Sequence, residues 1–71
     1  MKLSYFADTD TLYVELATGA ARDGQEISEG VVADYDEAGR LLGLEIEQAS
    51  TRLDVTRLET VGLPIAQLLA A

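Results

Sequence analysis

The absence of both cysteine and histidine from a chain of 71 residues restricts its fold and chemistry more than any other sequence feature. A chain of this length buries roughly 60% of the surface that it exposes when unfolded, which is near the minimum for independent stability. Without these two residue types it has no disulfide, no thiolate nucleophile and no Cys/His zinc cluster. Stability must therefore come from one small apolar core or from association with a second chain.

The charge balance of the chain is strongly acidic, with a net charge of −8, yet 48% of its residues are hydrophobic. Disordered chains combine high charge with low apolar content, so we expect a folded protein. No repeat or linker divides the sequence, and we predict a single small acidic domain over residues 1–71. No apolar run approaches the ~20 residues of a membrane span, and no signal-peptide core follows Met1 and Lys2. We therefore expect a cytoplasmic protein that does not bind membranes.

Four segments within residues 2–47 are typical of β-strands. Thr11–Leu16 alternates polar and apolar residues, which is typical of a half-buried strand. The other predicted strands are Lys2–Phe6, about Gln25–Tyr35 with a bend at Gly30, and Arg40–Glu47. Polar and glycine-containing clusters separate them, so the pattern predicts a four-stranded antiparallel β-meander.

The connection between the last two predicted strands determines which side chains face the core. A loop of three residues would place Asp34 on the core face opposite Leu42. A loop of four residues, Asp36–Gly39, instead pairs Ala33 with Leu42 and gathers the apolar residues on one face. We therefore expect the four-residue loop, with Gly39 in the left-handed conformation.

Residues 48–70 change to helical spacing. Thr56–Glu59 has the form of a capping box, whereas Gly62 and Pro64 interrupt a continuous helix. We predict two short helices, Gln48–Val61 and Pro64–Ala70, that cover the core face of the sheet. The predicted fold class is thus α+β: a four-stranded antiparallel β-meander followed by one or two short C-terminal helices packed on one face.

Three ordered motifs, Asp8–Leu16, Gly30–Arg40 and Gly43–Ile46, resemble the small prokaryotic family catalogued as domain of unknown function 2283. The family pattern has an Asp-x-Leu-Tyr strand, a Val-Val-x-Asp-Tyr-Asp segment with a glycine turn, and a Gly-Ile-Glu-Ile-like strand. The resemblance covers about residues 1–53, with Ala33 and Leu44 departing from the more usual valine and isoleucine. It implies a small β-sheet followed by a helix, and it brings no catalytic residues. Family members are often encoded beside small toxin-like proteins, so it also implies an antitoxin-type role.

The carboxylates give the main alternative function. Asp34, Asp36 and Glu45 are candidates for a carboxylate-based metal site or a small hydrolase, because paired acids can bind cations or exchange protons. General acid–base chemistry requires two carboxyl groups in different environments, and these are predicted to be similarly solvated. With no histidine base and no activated nucleophile, we expect a protein that is not an enzyme and uses no metal or cofactor.

Nucleic acid is not an expected partner. Binding to phosphates needs clustered lysine and arginine, and the five basic residues are scattered along the chain. No glycine-rich phosphate loop is present.

The predicted outer face of the sheet is the candidate interface. It combines an apolar centre with an acidic rim, which suits a basic protein partner or self-association. The residues of this face are Tyr13, Glu15, Val32, Asp34, Leu41, Glu45 and Glu47. The segment with Leu63, Ile65, Leu68 and Leu69 either packs on its own core or contacts a second subunit.

From these observations we expect a non-enzymatic, antitoxin-like protein-interaction module, dimeric and able to bind a basic protein. The alternatives are the metal-binding or hydrolytic protein above, and a purely structural homo-oligomer.

Overall fold

The computed structural model describes every residue from Met1 to Ala71 and consists mainly of one antiparallel sheet. A single short helix, α1, follows the sheet and is the only helical segment. The strands and the helix are β1 (Lys2–Phe6), β2 (Thr11–Glu15), β3 (Asp23–Ser28), β4 (Val31–Tyr35), β5 (Leu41–Ile46) and α1 (Ala49–Arg52). The predicted antiparallel sheet is confirmed, but it has five strands instead of four.

The segment predicted as one strand bent at Gly30 is a hairpin of β3 and β4. Gly30 has φ +75°, a left-handed conformation that glycine adopts without steric cost. The glycine therefore reverses the chain direction instead of bending a continuous strand.

The spatial order of the strands is β1-β2-β5-β4-β3, so the sheet is not a simple meander. Residues 16–22 carry the chain from β2 to the far edge, and β3, β4 and β5 then run back towards β2. This path places β5 in the centre, where Leu42 and Gly43 are buried.

The loop between β4 and β5 has three residues, Glu37–Gly39, between its first hydrogen-bonded pair. The Asp36 amide donates to the Arg40 carbonyl at 2.9 Å, and Tyr35 pairs with Leu41. The predicted four-residue loop is therefore wrong. Gly39 has φ +81°, which confirms its predicted left-handed conformation.

A β-bulge next to this loop keeps the apolar and acidic residues on opposite faces. It adds one residue on β5, so that Asp34 pairs with Gly43 and Ala33 pairs with Leu44. The predicted pairing of Ala33 with Leu42 is two residues out of register. The predicted separation of the faces is still correct, because the bulge restores the alternation that a three-residue loop alone would have reversed.

The apolar face of the sheet forms a thin core. Only three hydrophobic residues, Ala33, Leu42 and Ala49, are buried. Register places the half-buried Leu12, Val14, Val31, Leu44 and Ile46 on the same face as Ala33. The sheet therefore lacks the helical layer that was expected to cover it.

The predicted helical part is overstated: the helix predicted over Gln48–Val61 is present only as α1, which ends at Arg52, and the helix predicted over Pro64–Ala70 is absent. Asp54 explains part of the difference: its Oδ1 accepts hydrogen bonds from the Thr56 amide at 3.1 Å and hydroxyl at 2.6 Å, which closes a turn. Gly62, at φ +75°, interrupts the backbone again. A short helix with so few buried contacts does not offset its own nucleation cost.

None of the helical structure is long and apolar enough to cross a membrane.

Candidate functional site

Two cross-strand rows form one polar face of the sheet. In the first row Tyr13 pairs with Glu45, and Glu45 pairs in turn with Val32. In the second row Glu15 pairs with Gly43, which pairs with Asp34. We call the surface formed by Tyr13, Glu15, Val32, Asp34 and Glu45 the acidic face. The structure thus brings together five residues of the predicted outer face, from three different strands.

Gly43 allows the Tyr13 side chain to lie across the middle of this face. A Cβ atom on Gly43 would be 2.6 Å from the Tyr13 hydroxyl oxygen and 2.9 Å from Cζ, so the phenol occupies the space above the glycine. A side chain at position 43 would otherwise occupy this space between the neighbouring strands. The glycine therefore sets the position of the tyrosine at the centre of the acidic face.

The carboxylates around Tyr13 affect its ionisation. Burial raises the pKa of the Tyr13 phenol, and the negative charges of Asp34, Glu15 and Glu45 raise it further. The pKa of Glu45 is also raised, first by burial and then by repulsion from Asp34 and Glu47. The carboxylates on this face therefore repel one another.

No basic side chain neutralises these carboxylates. The three ion pairs of the structure are Arg22–Glu37, Arg40–Asp36 and Arg57–Glu59, and all lie in connecting segments. Lys2 is opposite Glu15 in the register of β1 and β2 but forms no ion pair with it. The acidic face therefore carries a concentrated negative charge that an external cationic group can approach.

Asp36 stabilises a loop and is not one of the residues of the acidic face. Its carboxylate accepts hydrogen bonds from the Ala38 amide at 2.9 Å, the Arg40 amide at 2.8 Å and the Arg40 Nε at 2.8 Å. These bonds hold the pKa of Asp36 below its usual value, and the bond from the Arg40 amide contributes most to the shift. The residue stabilises the β4–β5 loop, whereas Asp34 and Glu45, the other two residues of the alternative carboxylate site, lie on the acidic face. No group of three or more potential metal ligands is present anywhere in the structure.

The remaining predicted interface residues are not among the five that define the acidic face, although the charge of Glu47 acts on Glu45. Leu41 is at the bulge, where it pairs with Tyr35 and is 41% exposed. Glu47 follows the end of β5 and is exposed. Leu68 and Leu69, with Ile65, lie in the irregular segment after α1 and are also exposed.

Two contributors to the acidic face were missed from the sequence. In the sequence Gly43 is a glycine within a strand, and its role becomes clear only when its cross-strand partners are known. Glu26 extends the face at the sheet edge, because β3 is a separate strand in which Glu26 pairs with Val32. A glycine on a strand opposite a strand that contains a tyrosine is the signal that would have indicated the first.

Comparison with known proteins gives one match. The model of the family described as "Protein of unknown function (DUF2283)" matches residues 2–50. The search of curated proteins and the search of solved structures gave no match. The matched region includes all five strands and α1 up to Ser50, and thus the whole acidic face. Because the match covers more than half of the sequence, this chain belongs to the DUF2283 family of proteins of unknown function.

Proposed function

We propose that the protein is a non-enzymatic interaction module whose acidic face binds a basic protein. The observation that carries this proposal is the cluster of unpaired carboxylates of Glu15, Asp34 and Glu45 around Tyr13. Protein interfaces commonly have an aromatic or apolar centre with a polar rim, and complementary charge gives specificity and fast association. Tyr13 and Val32 supply the centre, and the three carboxylates supply the rim.

The electrostatics of the free protein support a cationic partner. The raised pKa of Glu45 reflects burial together with repulsion from Asp34 and Glu47, so the ionised carboxylate is held at a cost. An arginine or lysine docked between Asp34 and Glu45 removes this repulsion and adds charge-assisted hydrogen bonds. Tyr13 offers the aromatic surface on which an arginine side chain stacks.

The antitoxin-like role belongs to this proposal as its most specific form. It rests on the acidic face and on the antitoxin-type role that the family resemblance implies. In this role the protein works in the cytoplasm, where a chain without cysteine is unaffected by reducing conditions. The partner is then the basic product of a neighbouring gene.

Co-expression with the product of the neighbouring gene, followed by affinity measurement on the purified pair, tests the proposal. We expect a complex whose affinity decreases as salt increases, because the exposed charges are screened. The double variant Asp34→Asn/Glu45→Gln should weaken binding about tenfold or more, mainly by slowing association. Glu29→Gln, at the exposed β3–β4 turn, removes a similar charge elsewhere and should have little effect.

The absence of binding by the wild-type protein would refute the antitoxin-like role. The double variant removes two charges and Glu29→Gln removes one. A loss of binding free energy in the double variant that is only about twice the loss in Glu29→Gln would show that overall charge, and not the acidic face, governs binding.

A further inference from the structure

The isolated chain exposes more surface than a compact monomer of its mass. A compact 7.6 kDa protein exposes roughly 4,300 Å². This chain exposes 5658 Å², an excess of roughly 1,400 Å², whereas a standard interface buries about 800 Å² on each partner. Its radius of gyration is 13.0 Å, against about 11 Å for a compact chain of 71 residues. The excess is enough for a second copy to bury.

Part of this surface is an apolar groove beside β1 and β2. The groove lies between the sheet and the segment that follows α1, and its volume is about 390 Å³. Its apolar lining consists of Leu3, Tyr5, Leu12, Leu53, Val55 and Leu58. The charged residues that line it, Asp54 and Arg57, have opposite signs, so the groove has no net charge.

Residues 60–71, which we call the distal segment, have matching properties. The segment contains no Asp, Glu, Lys or Arg in a chain whose net charge is −8. It makes no intramolecular hydrogen bonds. Its own copy leaves Val61, Leu68 and Leu69 82%, 67% and 79% exposed. It is therefore the stretch that can approach another copy without charge repulsion and without breaking a hydrogen bond.

We propose that two copies associate by reciprocal docking, with the distal segment of each copy bound in the apolar groove of the other. This inference goes beyond the proposed function, because it uses a surface different from the acidic face. The exchange is isologous, so the same groove and the same segment are used twice and the assembly closes as a dimer. The acidic faces stay outside the contact, and no carboxylate rim is buried against another.

The experiment is light scattering of the full chain after size exclusion, over a range of protein concentrations. The wild-type protein should have twice the mass of one chain. In Leu68→Asp a carboxylate would enter the apolar groove and lose water, and the one cation that lines the groove, Arg57, is already paired with Glu59 at 3.1 Å. Dimerisation should therefore weaken at least about tenfold. Leu69→Asp is an independent second variant of the same design.

Leu41→Asp is the matched control, because Leu41 is also a large exposed leucine. Leu41 begins β5 and Ile46 ends it, so the two residues are roughly 17 Å apart. Ile46 pairs with the groove residue Leu12, and Leu41 is therefore far from the groove. This variant should remain dimeric. Circular dichroism should show the same sheet signal in all variants, because the distal segment contributes no hydrogen bond to the sheet.

A monomeric wild-type protein at high micromolar concentration would overturn the proposal, as would equal dissociation of Leu68→Asp and Leu41→Asp. Binding of the basic partner is measured on the same samples. Leu68→Asp should retain that binding, so loss of the dimer with retained partner binding identifies the groove contact alone. Failure of partner binding in an intact dimer counts against the proposed function instead.

Discussion

Asp10 accepts hydrogen bonds from Ser50, forty residues later in the chain. The Ser50 amide lies 3.1 Å from Oδ1 of Asp10, and the Ser50 hydroxyl lies 2.6 Å from Oδ2. The Tyr5 hydroxyl donates to the same carboxylate at 2.7 Å, and the Ala49 amide donates to the Asp10 carbonyl at 2.8 Å. One residue in the β1–β2 turn thus fixes the start of α1 against the sheet.

The Asp10 contacts predict a loss of stability in acid. The hydrogen bonds from Ser50, and next that from Tyr5, hold the pKa of Asp10 below its ordinary value of 3.8. The ionised carboxylate therefore stabilises the fold fully above that ordinary value, and this contribution disappears as the pH falls through the lower pKa of the folded state. In Asp10→Asn the unfolding midpoint in urea should be lower at neutral pH and should depend less on pH than in the wild type.

Asparagine is the informative substitution here because Asp10 has φ +52°, a conformation that asparagine tolerates. Asp8→Asn, in the same turn, is the control and should keep the pH dependence of the wild type. An unchanged pH dependence in Asp10→Asn would contradict the assignment.

The contact between Tyr13 and Gly43 predicts that Gly43→Ala destabilises the sheet. The new methyl group would lie 2.6 Å from the tyrosine hydroxyl and 2.8 Å from the Val14 carbonyl oxygen. Such overpacking costs about 1–3 kcal/mol, measured as the free energy of unfolding in urea. Gly24→Ala, whose methyl group would be 3.2 Å from the nearest Asp34 oxygen, should cost less.

A Tyr13→Ala background separates the two clashes of Gly43→Ala. It removes the tyrosine contact but leaves the carbonyl contact, so the cost of Gly43→Ala should decrease without disappearing. The same cost in both backgrounds would show that the tyrosine does not depend on the glycine.

Local patterns predicted the strands but not all of their connections. The alternation in Thr11–Leu16 and the turn at Gly39 are short-range features, and both are present in the structure. The separation of Asp34 from the apolar face was also predicted, although the register was wrong. The bulge beside Leu41 could not be inferred from the sequence. The length of the loop and the separation of apolar from polar side chains are each compatible with a regular ladder, so neither indicates an extra residue in β5.

The helical prediction failed for a different reason. Helical spacing in residues 56–65 describes only which side chains would share a face, whereas a helix this short needs a surface to bury that face. Asp10 and Ser50 illustrate the same limitation. Their contact joins residues forty positions apart in the sequence, so it depends on the tertiary fold. The acidic face was predicted because it follows from strand parity alone, while the role of Gly43 required the pairing of three strands.

Leu42 provides the largest buried side chain of the core, and its truncation should be severe. It is 4% exposed, and the backbone at Gly19 packs against its side chain. Leu42→Ala should cost about 2–5 kcal/mol in the free energy of unfolding. The adjacent Leu41, which is 41% exposed, gives a matched control that should lose under about 1 kcal/mol on change to alanine. Similar losses in the two variants would contradict the placement of Leu42 in the core.

Glu45 should show the opposite pH dependence to Asp10. Its pKa is raised above the ordinary value of 4.5, by burial first and then by the charges of Asp34 and Glu47. A raised pKa means that folding favours the protonated form, so this stabilisation is complete below about the ordinary value and is lost as the pH rises through the higher pKa of the folded state. Glu45→Gln should therefore stabilise the protein at neutral pH by roughly 0.5 kcal/mol or less, because solvent screens a partly exposed group. The gain should vanish in acid, where Glu45 is itself protonated.

Urea unfolding across this pH range, with Glu29→Gln as the control, measures the effect of Glu45→Gln. A Glu45→Gln variant that is less stable than the wild type at neutral pH would show that the carboxylate is paired in solution, contrary to the open acidic face described above.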